Sequence, residues 1–238
     1  MDLTKFKDIH KNKKAFLAAC GPSLNDVDVS KLEDEIVFGV SLAFKKEGLN
    51  IKYHFIGDMN IARQFSVEIS ASNTETLFVS RGIYELGILN HPNMYYFEGG
   101  GDRIFHEDVS EKIYGGGTST FVAMQFAYYM GIKKLFIVGL DHYEKVPRFK
   151  IIRAIEGRGK PLVSNIEKDI AHFVEDYYGE NVRYFLPDTY KMQKSYYKAK
   201  LAFEKNGREI YNSSAKTALS SNILPRMKFE DAIKIKDR

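Results

Sequence analysis

The chain has 238 residues, 44% of them hydrophobic and 28% charged, a formal charge of +4 and a single cysteine. That is the make-up of a globular chain able to bury a core, which excludes intrinsic disorder and an intrachain disulfide framework. The mild positive charge suits small anionic ligands; not gathered into a basic stripe, it argues against nucleic acid as a partner.

The polar N-terminus lacks the apolar region of a signal peptide, and no apolar run approaches the ~18–20 residues that span a bilayer. The expectation is a soluble, cytoplasmic protein, with peripheral contact to a membrane surface left open.

In chain order, short apolar runs bounded by turn signals fall at Ala15–Ala19, Ile36–Val40, Tyr53–Ile56, Leu77–Val79, Met94–Phe97 and Leu135–Val138. Their continuous rather than alternating character predicts strands buried on both faces. From Thr118 to Met130 the apolar residues cover much of a helix, which Gly131 stops before the Leu135–Val138 strand begins. Strand, crossover helix and strand predict an α/β fold: a Rossmann-like, mostly parallel sheet flanked by helices.

After Asp141 the stretch Glu144–Lys160 is basic and without period, and reads as a functional or mobile loop. A short strand over Val182–Phe185 and a helix from Thr189 to Asn206, ended by Gly207, follow; the remainder reads as irregular with a short terminal helix. Without repeats or a linker, the chain reads as one domain: residues 1–143 a nucleotide-binding core, 144–188 a lid and catalytic segment, and 189–238 a C-terminal helix and tail.

In open parallel sheets ligands lie beyond the carboxyl ends of the strands, and the loops there carry the candidates. Gly21-Pro22-Ser23-Leu24 follows the first strand; Gly21 allows close approach, Pro22 stiffens the turn, and the Ser23 hydroxyl can face an anion. The plain alternative is a strand-to-helix turn. Asp58, just off the third strand, suits a ribose, a metal or a substrate hydroxyl, and equally an N-cap. Gly115-Gly116-Gly117-Thr118-Ser119 opens the long helix and forms a phosphate cradle, or simply a capped helix behind a flexible loop. Asp141 and His142 stand where acid–base residues of α/β enzymes stand. His172, among acids after the basic stretch, is a candidate general base or a structural histidine. Asp26-Val27-Asp28 matches the D-x-D of metal-dependent sugar transferases by two letters and reads as a charged turn.

Together, Gly21-Pro22-Ser23-Leu24, Gly117-Thr118-Ser119 ahead of a helix, and Gly131 through Gly139-Leu140-Asp141 resemble the MptE-like family and, more distantly, the family 42 bacterial sialyltransferases. Gly207-Arg208 through Tyr211-Asn212, with Pro225-Arg226 beyond, is similar to the ending of MptE-like proteins found among surface-glycan genes. The sialyltransferase resemblance implies a metal-free, CMP-sugar-dependent glycosyltransferase with a nucleotide-sugar donor and a glycan acceptor. It places Gly21, Pro22, Ser23, Ser41, Asp58, Gly116, Gly117, Thr118 and Ser119 around the nucleotide. His172 is then the base, with Asp141 and Tyr143 beside it, and Tyr143, Tyr177 or Tyr178 helping the phosphate leave.

The MptE resemblance implies instead a 6-hydroxymethylpterin diphosphokinase, with Mg held by Asp58, Asp141 and Glu144; a third reading is a nucleotide-binding protein without turnover. Two departures stand out: Ser41 replaces the asparagine of the sialyltransferases, and Ala19 replaces the first glycine of Gly-x-Gly-Pro-Ser-Leu. The Asp-Leu-Asp-Gly run of the pterin kinases is absent, which favours the glycosyltransferase. Nothing in the sequence decides between a monomer and a homo-oligomer.

Overall fold

The computed structural model describes residues 2–100, 103–142, 162–163, 169–177, 183–184 and 187–237. Its centre is an eight-stranded sheet in the order β10-β7-β1-β2-β3-β4-β5-β6, every pairing parallel. The strands are β1 Lys14–Ala18, β2 Val37–Val40, β3 Tyr53–Ile56, β4 Thr76–Ser80, β5 Met94–Gly99, β6 Lys112–Ile113, β7 Lys134–Val138 and β10 Glu209–Asn212. All six predicted sheet strands are present, within about a residue or two at each end. The α/β architecture is thus the one the apolar runs predict.

The continuous apolar runs become strands because both faces are covered. Every residue of β1, β2 and β3 is buried. The Phe55 and Phe78 rings stack at 5.0 Å across β3 and β4, and Phe126 meets Phe78 at 4.7 Å from the crossover helix. That helix, Ser119–Tyr129, is buried from Thr120 onward, so it reads as apolar all round rather than amphipathic. Each phenylalanine buried in this way contributes about 1.5–3 kcal/mol, and the core built from them runs continuously from Leu3 to Ala232.

Two elements differ from expectation. Glu209–Asn212, expected to be irregular, forms an edge strand on β7. Its alternating burial, with Ile210 and Asn212 inward, marks a strand covered on one face. Arg183–Tyr184 (β9), within the predicted Val182–Phe185 strand, pairs antiparallel with Leu162–Val163 (β8) outside the main sheet. The helix Thr189–Lys205 (α5, counting the short helices Met59–Gln64, Ser66–Ser70 and Arg81–Glu85 and then Ser119–Tyr129 as α1 to α4) and the terminal helix Phe229–Lys234 (α6) stand where predicted. Among the described residues no helix is long and apolar enough to cross a membrane.

From β1 the chain steps outward through β2 to β6, then returns to place β7 on the other side of β1. This reversal is the topological switch point, where neighbouring loops diverge and leave a crevice.

Candidate active site

The crevice is a cleft of about 570 Å³ at the carboxyl ends of the strands. Its floor comes from the loops after β1 (Cys20, Gly21), β2 (Ser41), β3 (Gly57, Asp58) and β7 (Gly139 to His142). One side carries Gly117, Thr118 and Ser119 at the N-terminus of α4, where backbone N–H groups and the helix dipole favour an anion. The other side carries His172 and Tyr177, and Met192 and Tyr196 of α5 close the end.

The β1 and β7 loops are locked together. The Ser23 N–H donates to Asp141 Oδ2 at 2.7 Å, and the Ser23 hydroxyl donates to Asp141 Oδ1. Ser23 is 2% and Asp141 7% exposed, so this contact is internal. Burial raises the Asp141 carboxyl above its ordinary value, against the two bonds from Ser23 that pull it down. Gly21 is needed for the same contact. A Cβ there would stand 2.6 Å from the Gly139 carbonyl oxygen and 2.7 Å from Asp141 Cγ.

From the far side, Ser214 Oγ accepts the Leu140 N–H at 2.7 Å, Asn212 Nδ2 donates to the Leu140 carbonyl at 3.1 Å, and the Ala218 N–H donates to the Asp141 carbonyl at 2.7 Å. The tail after β10 thus holds the Asp141 loop in place.

Asp58 Oδ1 accepts the Asn60 N–H at 2.8 Å, which makes it the N-cap of α1 as well as a cleft residue. Thr118 caps α4 through Thr120 N–H, and Ser119 Oγ accepts the Gly57 N–H at 3.2 Å, tying the third loop to the glycine cradle. Ser41 has a left-handed backbone at φ 49°, uncommon for a serine. Its N–H donates to the Phe55 carbonyl at 3.0 Å, and its carbonyl accepts from His54 Nε2 at 2.7 Å. His142 also sits at φ 49° on the cleft wall, 3.1 Å from the Gln193 amide nitrogen, with its pKa lowered by burial. Cys20 is buried with Sγ 3.1 Å from the Val40 carbonyl, and burial pushes its thiol up to about 12.

His172 faces the cleft with its Nδ1 2.8 Å from Asp169 Oδ2. An ionised carboxylate can only accept, so with Asp169 ionised this contact selects the tautomer with a proton on Nδ1. The Tyr177 ring stacks on the imidazole at 3.6 Å and 5°. Three contacts fasten this segment to the core: Phe173 N–H to the Cys20 carbonyl at 2.9 Å, Asn25 Nδ2 to the Phe173 carbonyl at 3.1 Å, and Lys45 to Asp176 at 2.7 Å. A carboxylate–imidazole pair held at the edge of an anion cradle can remove a proton from a hydroxyl brought beside it.

The structure therefore brings Gly21, Ser41, Asp58, Gly117, Thr118, Ser119, Asp141 and His172 to one cleft. Ser23 and Gly116 are buried behind its wall, and Pro22, partly exposed, is not among its lining residues. Ser23 is turned to Asp141, and Gly116, at φ 63°, packs under the Phe121 ring. Tyr143, Tyr178, Glu144 and the basic stretch to Lys160 lie outside the described residues.

Sequence reasoning missed Asp169 and the Asn212–Thr217 brace. The D-x-x-H spacing and the polar run Asn212-Ser213-Ser214 directly after a strand are the signals that mark them.

No family model and no curated protein matches the chain. Among solved structures it is similar to the sialyltransferase CstII from Campylobacter jejuni in complex with cytidine-5'-monophosphate: 15% identity, TM-score 0.50, covering 91% of this chain and 85% of that one. It is also similar to CstII in complex with the substrate analogue CMP-3FNeuAc, at 14% identity and TM-score 0.45, over 90% of this chain and 86% of that one. At this identity the first likeness speaks for the fold, a Rossmann-like sheet flanked by helices.

Proposed function

We propose that the protein is a sialyltransferase-like glycosyltransferase that takes a CMP-linked sugar as donor and serves surface-glycan synthesis. The observation that carries the reading is the Asp169–His172 pair on the rim of an anion cradle at the switch point. In this reading Gly117, Thr118 and Ser119, with the N-terminus of α4, hold the donor phosphate, and Ser41 and Asp58 meet the nucleoside. Asp141 serves as the brace that keeps the Gly21 turn against the cleft. His172 removes the proton from the acceptor hydroxyl as it attacks the anomeric carbon. The bond from that carbon to the phosphate oxygen breaks, and CMP leaves. The shared fold with an enzyme solved in complex with CMP supports the choice of nucleotide.

The diphosphokinase reading has Asp58, Asp141 and Glu144 hold Mg. Asp141 already accepts two bonds from Ser23, and Asp58 already caps α1. Among the described residues no cluster of three His, Cys, Asp or Glu side chains is arranged for a metal. Glu144, the third residue of that reading, lies outside the described residues, and no step is assigned to a metal.

The test is release of CMP from CMP-N-acetylneuraminic acid in the presence of a galactose-terminated acceptor and EDTA. Release that depends on His172 supports the proposal. Failure with CMP-sugars, together with AMP formed from ATP, Mg and hydroxymethylpterin, would replace it with the diphosphokinase.

A further inference from the structure

Helix α5 has two working sides. Thr189, Met192 and Tyr196 line the cleft. About a third of a turn round the helix, Tyr190, Tyr197 and Leu201 stand 66%, 44% and 47% exposed. At about 3.6 residues per turn their spacing of i, i+7 and i+11 puts them in one narrow row. Lys194 and Lys205 are exposed beside that row and Lys200 is partly exposed there, whereas the Lys191 and Lys198 ammonium groups lie 5.6 and 5.8 Å from the Tyr114 ring centre on the flank of the helix. The Lys194 ammonium lies 4.2 Å from the Tyr190 ring centre, and that of Lys200 lies 5.8 Å from Tyr197.

Lys198 donates to the Arg103 carbonyl, which brings the exposed Arg103 and Ile104 alongside. No acidic residue occurs from Thr189 to Phe203. Among the described residues no carboxylate lies within ion-pair reach of Lys191, Lys194 or Lys198; Glu204 and Glu107 sit at the C-terminal end of the helix, near Lys200 and Lys205.

We infer that this face of α5 docks on an anionic lipid surface. Protein–protein interfaces are depleted of lysine, and a second copy related by a two-fold axis would set this basic row against its own charge. So narrow an apolar row is also too small for the core of a stable dimer. An anionic bilayer suits each part. Tyrosine rings settle at the headgroup level with their hydroxyls wet, and lysine stems lie along the apolar row while their ammonium groups reach the phosphates. The docking is shallow and electrostatic, the mode of an interfacial helix rather than a spanning one.

The inference stands apart from the glycosyltransferase reading. Under that reading it adds that Pro187 and Thr189, at the cleft end of α5, come within about a helix diameter of the surface, ~10 Å, where a lipid-held acceptor would be presented.

The experiment is co-sedimentation of the full chain with vesicles of phosphatidylcholine alone and of phosphatidylcholine mixed equally with phosphatidylglycerol. Binding is expected only to the mixed vesicles and weakens as salt rises. Lys194→Gln should weaken it about fivefold, and adding Lys198→Gln should multiply that loss. Tyr197→Ser with Leu201→Ser should weaken it about tenfold. CMP release without vesicles should be unchanged in every variant, so that loss of docking and loss of transfer read separately. Sedimentation indifferent to these substitutions, or absent with both vesicle types, would overturn the inference. So would a dimer in light scattering that Tyr197→Ser dissolves, which would make the face a protein interface.

Discussion

His54 offers a quantitative test of the packing beneath the cleft. It lies in β3 with no exposed surface, its Nε2 donates to the Ser41 carbonyl, and its Nδ1 is buried with no partner among the described residues. Burial lowers its pKa from 6.5 to about 4; the Ser41 bond works in the opposite sense but does not offset it. In the folded protein the ring is therefore neutral until about pH 4, whereas in the unfolded chain it takes up a proton from about pH 6.5 downward. The neutral ring's contribution is thus complete above pH 6.5 and is lost as pH falls towards the folded value.

A fall from 6.5 to about 4, at about 1.4 kcal/mol per pH decade, corresponds to about 3 kcal/mol lost between neutral pH and pH 4, where the folded ring is itself half protonated. Glutamine at this position can keep an N–H directed at Ser41 but does not titrate. Urea unfolding of the native protein and His54→Gln, at steps from pH 7.5 to 4, should show stabilities that converge by about 3 kcal/mol. A constant offset would come from lost ring packing alone. Parallel profiles across the whole range would refute a neutral, buried His54 and the anchoring of Ser41 built on it.

Three further outcomes follow from the site. His172→Ala should lower transfer by about 10²–10⁴-fold while leaving CMP affinity in place, and Asp169→Asn should lower kcat with little change in KM; steady-state kinetics with calorimetric CMP titration separates these. Ser23→Ala leaves Asp141 Oδ1 without its donor, a loss of about 1–3 kcal/mol by denaturant unfolding. Because the Asp141 pKa is already raised and the substitution raises it further, that deficit is full at neutral pH and closes as Asp141 takes up a proton in acid. Gly21→Ala drives a methyl group against the Gly139 carbonyl and Asp141, which cannot both withdraw. A destabilisation of about 1–3 kcal/mol, with weakened CMP binding, should appear in thermal unfolding.

The sheet was legible because its strands are buried on both faces, so runs such as Leu135-Phe136-Ile137-Val138 carry no polar interruption. The edge strand Glu209–Asn212 was hidden because one face meets solvent and only Ile210 and Asn212 point inward. The glycine cradle and the Asp141 loop could be placed at the cleft from strand ends alone.

What composition cannot show is which polar group answers which. Ser23 and Asp141 are 118 residues apart in sequence yet share two hydrogen bonds, so a hydroxyl expected to meet a ligand instead holds two loops together. The same holds for Asn212 and Ser214, whose partner Leu140 lies more than seventy residues earlier. Asp169 is the opposite case. Its partner His172 is three residues away, and the pairing is a local turn that the spacing alone suggests.

The most direct test of the central claim is thermal unfolding of the purified protein with CMP in EDTA, set against ATP with Mg. A ligand at about 100 times its Kd stabilises by about 2.7 kcal/mol, a clear rise in Tm. The account predicts that CMP gives this rise without metal, and that His172→Ala, whose imidazole acts on the acceptor rather than the nucleotide, gives the same rise. Stabilisation by ATP and Mg alone, with no response to CMP, would contradict it.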